Sequence, residues 1–134
     1  MILVLDCNIW VSLAINRRLD LIVQMSESGI RIASCEALKA EITDVLARPK
    51  LRKFVPPASV SKVAKLHDLI TKRYKLTDIP KVVADSKDNY LFALCIKSRA
   101  DYLVSGDKIV LQTGTYGQTK MITLKELQGL LNSI

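Results

Sequence analysis

Two short apolar runs each end on an aspartate, and this pattern restricts the fold more than any other feature of the chain. Ile2-Leu3-Val4-Leu5 leads into Asp6-Cys7-Asn8, and Tyr102-Leu103-Val104 leads into Ser105-Gly106-Asp107. A brief, unbroken apolar run reads as a strand covered on both faces, the strand type of parallel sheets. Open parallel sheets bind their ligands at the carboxyl ends of the strands, so an aspartate there stands where a cation or substrate would be held. Two further acidic windows fall in helical pattern: Asp85-Ser86-Lys87-Asp88 at a helix start, and Glu41 at the border of an apolar stripe.

Between the two runs the pattern alternates. After the strand at 2–6, Asn8 is expected to cap a helix to about Ile15, and Leu19–Ser28 reads as a second helix stopped by Gly29. A strand at Ile30–Ala33 follows, then a helix from Cys35 to Arg48 capped by Ser34 and ended by Pro49. Lys50–Pro57 reads as a connector, and Ser59 to about Lys75 as one long helix with Val60, Val63, Leu66, Leu69 and Ile70 inward. A helix opening near Asp85 runs to about Arg99, before the strand Tyr102–Ser105 and a glycine-bearing loop at 113–118. A last strand at Lys120–Ile122 precedes Thr123-Leu124-Lys125-Glu126, a capping box for a helix over Leu124–Asn132. Strands and helices in alternation predict an α/β fold, a central parallel sheet with helices on both faces.

The length of 134 residues, 49% of them apolar, fits one domain over 1–134 with a full core. No stretch approaches the ~20 apolar residues of a spanning helix, and no basic leader precedes the first run, so a soluble chain without membrane contact is expected. Cys7, Cys35 and Cys95 are odd in number and widely spaced, which argues against a disulfide framework and a zinc site and points to a reducing cytoplasm. The net charge of +7 is concentrated: residues 48–81 carry ten Lys and Arg against Asp68 and Asp78. Arg48, Lys50, Arg52, Lys53, Lys72, Arg73 and Lys75 are the candidates in that segment for holding a nucleic-acid backbone. The same run also fits a solvated helical face.

If Asp6, Glu41, Asp88 and Asp107 converge, their mutual repulsion raises their pKa values unless a cation stands among them. Hard ions such as Mg²⁺ or Mn²⁺ take oxygen ligands and can activate water against a phosphodiester. Other chemistries lack parts. His67 is the sole histidine, so an acid/base pair of histidines is excluded; it reads as a surface or boundary residue. No Gly-x-Ser-x-Gly elbow, glycine-rich dinucleotide fingerprint or phosphate-loop lysine motif occurs. An aspartyl-phosphate phosphatase would carry a second Asp where this chain has Asn8. Trp10, Phe54, Phe92 and the tyrosines are too few for a base-stacking platform and read as core or boundary residues. Gly106 reads as relief for a tight turn.

Taken together, Val4-Leu5-Asp6-Cys7-Asn8, Glu41, Asp85-Ser86-Lys87-Asp88-Asn89 before Leu91-Phe92-Ala93-Leu94, and Ala100-Asp101-Tyr102-Leu103-Val104-Ser105-Gly106-Asp107-Lys108 resemble the PIN domain (PilT N-terminal domain) family. The likeness is to its single-domain VapC-like ribonucleases, toxin components of toxin–antitoxin systems. It implies a three-layer α/β/α fold and a Mg²⁺- or Mn²⁺-dependent endonuclease, usually on single-stranded RNA. Matched by position, Asp6, Glu41, Asp88 and Asp107 correspond to the acidic metal-binding quartet, Asp85 to an auxiliary acid, and Asn8 and Ser105 to small polar positions around it. An antitoxin partner and a homodimer also follow from the resemblance alone. Ala84 replaces a frequent Arg, and Ser86 and Tyr90 replace frequent prolines. The alternatives that stay open are a non-catalytic nucleic-acid-binding module on the same fold and a small-molecule phosphatase.

Overall fold

The computed structural model describes residues 1–133; residue 134, the last of the expected domain, lies outside the described residues. In chain order the elements are β1 (Ile2–Leu5), α1 (Cys7–Ile15), α2 (Asp20–Glu27), β2 (Arg31–Ser34), α3 (Glu36–Leu46), α4 (Pro57–Ile70) and β3 (Thr71–Arg73). There follow α5 (Asn89–Ser98), β4 (Tyr102–Val104), α6 (Lys108–Gln112), β5 (Thr115–Tyr116), β6 (Thr119–Ile122) and α7 (Leu124–Asn132). Single 3₁₀ turns at Pro49–Leu51 and Ser86–Asp88 lead into α4's connector and α5.

The six strands are ordered β3-β2-β1-β4-β6-β5, parallel throughout except for β5 against β6. The chain steps outward from β1 to β2 and β3, then returns past β1 to β4 and β6. Right-handed crossovers therefore set α1–α4 on one face and α5 and α6 on the other, which makes a three-layer α/β/α fold. The reversal falls between β1 and β4, and at such a switch point two diverging crossovers leave a crevice at the carboxyl ends of the strands.

The sheet core is built from Leu3, Val4, Leu5, Leu103 and Val104, none of which is exposed. Helix α5 is nearly all interior, with Tyr90, Leu91, Phe92, Leu94 and Cys95 buried, as expected of a helix apolar on most of its circumference. Its first residue, Asn89, is buried and accepts from the Val82 and Val83 amides at 3.0 and 2.9 Å while donating to the Val83 carbonyl at 3.2 Å. One side chain thus pins the irregular approach to α5.

Several expectations are revised. Helix α1 is capped by Asp6, whose carboxylate accepts from the Cys7 amide, and Asn8 sits inside its first turn. Ser34 belongs to β2, and α3 starts from Cys35 without a side-chain cap. The long helix ends at Ile70 because Thr71 Oγ1 donates to the His67 carbonyl at 2.6 Å, satisfying a terminal acceptor, and the backbone turns extended to form edge strand β3. Leu69 accordingly points to solvent, 81% exposed. The expected loop at 113–118 contains β5, closed onto β6 by a two-residue turn with Gly117 at φ +59°. Gly106 has no positive φ, and a Cβ there would meet Asn8 only at 3.7 Å, so no tight turn requires it. The Thr123 capping box, by contrast, is present with both of its hydrogen bonds.

His67 is a core residue. It is 1% exposed, shares a 2.7 Å hydrogen bond with Ser34 Oγ through Nε2, and lies 4.9 Å, centroid to centroid, from the Trp10 ring. Burial, then the Arg73 charge, lowers its pKa from 6.5 to about 4; Asp68, 3.8 Å from Nδ1 and beyond hydrogen-bonding distance, offsets this only in part. The folded state therefore holds the imidazole neutral. Its contribution is complete above pH 6.5 and is lost as pH falls towards 4, where the unfolded chain takes up the proton first. We expect His67→Gln to remove up to about 3 kcal/mol of the acid sensitivity seen between pH 6.5 and 4. Chemical denaturation of both proteins at several pH values reads the difference; parallel curves would place the titration elsewhere.

Candidate active site

The crevice at the switch point begins with the two strand-end aspartates. Asp6 is 4% exposed and follows β1; its backbone amide donates to the Val104 carbonyl at 2.9 Å, so the ends of β1 and β4 are zipped together. Ser105, fully buried, donates from Oγ to Asp6 Oδ2 at 2.7 Å and accepts from the Asp107 amide at 3.0 Å. Asn8 adds a second stitch, with Nδ2 donating to Asp6 Oδ2 at 3.3 Å and Oδ1 accepting from the Gly106 amide at 3.1 Å. Asp107 caps α6 through the Ile109 amide at 2.9 Å. The small polar side chains are therefore the frame in which the acids are set.

The remaining acids arrive from two helices on opposite faces of the sheet. Glu41 projects from mid-α3, and its Oε1 accepts from the Tyr90 hydroxyl of α5 at 2.5 Å. Tyr90 is 8% exposed, and burial together with the Glu41 charge pushes its phenol far above the usual range. Asp88, half-buried, ends the 3₁₀ turn before α5, and exposed Asp85 caps that turn by accepting from the Lys87 amide at 3.1 Å. Asp6, Asn8, Glu41, Asp85, Asp88 and Asp107 all line one open cleft of about 510 Å³, which continues along α1 past Val11 and Ile15 to Asn16.

The electrostatics of this cleft are unfavourable to the acids themselves. Burial raises Asp6 from 3.8 to about 6; the Ser105 and Cys7 donors pull it back in part, and Asp88 and Glu41 add repulsion. Asp88 is raised by burial, then by Asp107, Asp85 and Glu41. Five carboxylates facing one space supply the all-oxygen donor set that hard divalent ions take, and a cation would relieve the repulsion. In donor chemistry the residues fit Mg²⁺ or Mn²⁺. In geometry they gather around the cleft without closing: among the described residues no three acidic, histidine or cysteine side chains stand tightly enough to chelate an ion as they are. Asp6, Glu41, Asp85 and Asp107 are each turned to a donor of the protein, and like charges have no reason to approach further.

The basic candidates divide. Arg48 follows α3, with Asp44 at 3.7 Å, and its charge is felt at Cys7 in the cleft. Lys50, Arg52 and Lys53 are exposed on the connector. Lys72 and Arg73 are exposed on β3, with Lys75 just beyond it, at the same end of the sheet as Asp6 because the strands are parallel. Two strand spacings separate them from β1, about 10 Å. Arg73, however, is engaged with Glu36 at 2.8 Å and Asp68 at 2.6 Å, and Asp68 also holds Lys39. Its charge ties α3, α4 and β3 together.

Sequence reasoning missed Tyr90 as a site residue. The side chain reads as core or boundary and as standing where proline is common, and nothing local signals that a phenol 49 residues from Glu41 reaches it. A larger groove of about 570 Å³, bordered by Arg18, Leu21, Met25, Ser28 and Gln128, is lined by no carboxylate, histidine or cysteine. Among the described residues no helix is long and apolar enough to cross a membrane. A family model described as PIN domain matches residues 2–109. No curated protein and no solved structure matches the chain.

Because the folded state raises Asp6, it binds a proton more tightly than the unfolded chain, and in the absence of a cation stability is lost as pH rises from 3.8 to about 6, the cost being complete above that. We expect Asp6→Asn, measured in EDTA at pH 7.5, to melt several degrees above the wild type, the carboxylate's cost being up to about 3 kcal/mol. A lower melting temperature would mean that the hydrogen bonds to the charged form outweigh its burial.

Proposed function

The chain belongs to the PIN domain family, whose members are generally nucleases, and from that premise we propose a Mg²⁺- or Mn²⁺-dependent endoribonuclease acting on single-stranded RNA. The observation that carries this reading is the meeting of five carboxylates from four separate segments in one cleft at the switch point. In this reading Asp6, Glu41, Asp88 and Asp107 hold the metal, with Asp85 as an auxiliary acid. One or two such ions would polarise the phosphodiester and make a water nucleophilic near neutral pH. The protein's own residues set the stage. Ser105 and Asn8 orient the Asp6 carboxylate and fix the spacing of Asp6 from Asp107. Tyr90 holds Oε1 of Glu41, which leaves Oε2 free for a metal. Arg48, Lys50, Arg52, Lys53, Lys72 and Lys75 would draw the phosphate backbone to an end of the sheet that is otherwise negative.

One observation favours a second reading. The acids do not chelate as they stand, which suits a non-catalytic nucleic-acid-binding module that kept the fold. A phosphatase for small esters is the weaker rival, since Asn8 stands where its second Asp would act. A single domain spanning 1–134, a cytoplasmic setting, a homodimer and an antitoxin partner complete the proposal, the last two resting on the family resemblance.

The wild type should shorten labelled single-stranded RNA in Mn²⁺ and stop in EDTA. Asp107→Asn should lower that rate at least a hundredfold, since a lost ligand removes several kcal/mol of charge stabilisation. RNA shifted in a gel but never shortened would favour the binding module, release of a chromogenic phenol from an aryl phosphate would favour the phosphatase, and unchanged turnover in Asp107→Asn would refute the assignment.

A further inference from the structure

Phe54 is a large aromatic side chain left in solvent, 47% exposed, on the connector between α3 and α4. It lines a groove of about 390 Å³ with Arg17, Leu19, Pro56, Lys62 and Leu66, and no acid borders it. Lys53 Nζ stands 5.1 Å from the ring centroid, and Lys50 and Arg52 are exposed beside it. The groove and the acidic cleft flank the same end of α1 without sharing a lining residue. The cleft reaches Ile15 and Asn16, and the groove is lined by Ala14 and Arg17, so the end of α1 stands between the two. The nine residues of α1 separate the acids from this end by about 13 Å.

Resting on the reading that the chain acts on RNA, we propose that the Phe54 groove is a second subsite, which stacks an unpaired nucleobase of the strand whose phosphate lies in the acidic cleft. An exposed ring offers a π-face that any base can cover, and the surrounding cations suit the phosphates on either side of it. The requirement for an unpaired base selects single-stranded over double-stranded RNA, whose bases are stacked on each other. Sequence reasoning discounted the aromatics as too few for a platform. One ring suffices when it sits across the end of α1 from the cleft and cations surround it.

The test uses the full chain in EDTA, so that the strand stays intact, with fluorescein-labelled decauridylate and a decamer of abasic ribose-phosphates as probes in anisotropy titrations. Phe54→Ala should weaken decauridylate binding roughly tenfold, the scale of one lost base–aromatic stack, and leave the abasic strand unchanged. Phe54→Trp should bind as the wild type does, and its fluorescence should be quenched by decauridylate, while the buried Trp10 of the wild type stays silent. Equal affinity of Phe54→Ala and wild type overturns the subsite, as does an equal loss on both probes. A wild-type dimer that Phe54→Ala converts to a monomer in sedimentation assigns the face to a second copy and also overturns it. A wild type that binds neither strand overturns the subsite, and the RNA reading falls with it if no RNA is shortened in Mn²⁺ either. Phe54-dependent binding without cleavage in Mn²⁺ sinks the nuclease chemistry and leaves the subsite standing.

Discussion

A single hydroxyl, Ser105 Oγ, stands between the two strand-end aspartates, donating to the Asp6 carboxylate and accepting from the Asp107 amide. With the bond from the Asp6 amide to the Val104 carbonyl it fixes where the ends of β1 and β4 lie relative to one another. These contacts are made in the interior, where an unpaired polar group is costly and a paired one correspondingly specific. The acidic end of the sheet is therefore a built feature of the core, and the cleft inherits its rigidity from the sheet.

That rigidity allows the fold to keep charges together that would otherwise separate. Asp6 is held near neutrality's edge by burial, and Asp88 is raised by its neighbours. Tyr90 and Glu41 add a strut between helices on opposite faces of the sheet. The Asp68, Lys39, Arg73 and Glu36 network performs a comparable task at the β3 edge, joining three elements by charge. Networks of this kind contribute more than isolated surface pairs, and here they consume an arginine that composition alone assigns to a nucleic acid.

Much of this is legible in the sequence, for identifiable reasons. Residues Ile2–Leu5 and Tyr102–Val104 are read correctly because a buried parallel strand needs an unbroken apolar run, and α7 because its capping box is a purely local device. The acids facing the cleft are named from their places at strand ends and on helix faces. What is missed depends on partners distant in the chain. Strand β3 pairs with β2 across an intervening helical hairpin, and its Thr-Lys-Arg composition carries no strand signal. His67 is taken for a surface residue because its polarity is satisfied by Ser34, 33 positions away. The looseness of the carboxylate cluster is equally invisible, since no pattern records that Asp6, Glu41, Asp85 and Asp107 have each found a donor of the protein.

The central claim is that these carboxylates surround a place for a doubly charged cation. Crystals grown with Mn²⁺ and measured for anomalous scattering test it most directly. The account predicts a peak within about 2.0–2.4 Å of oxygens of Asp6 and at least one of Glu41, Asp88 and Asp107. Manganese bound elsewhere on the surface, with the cleft carboxylates still turned to their protein donors, would contradict it.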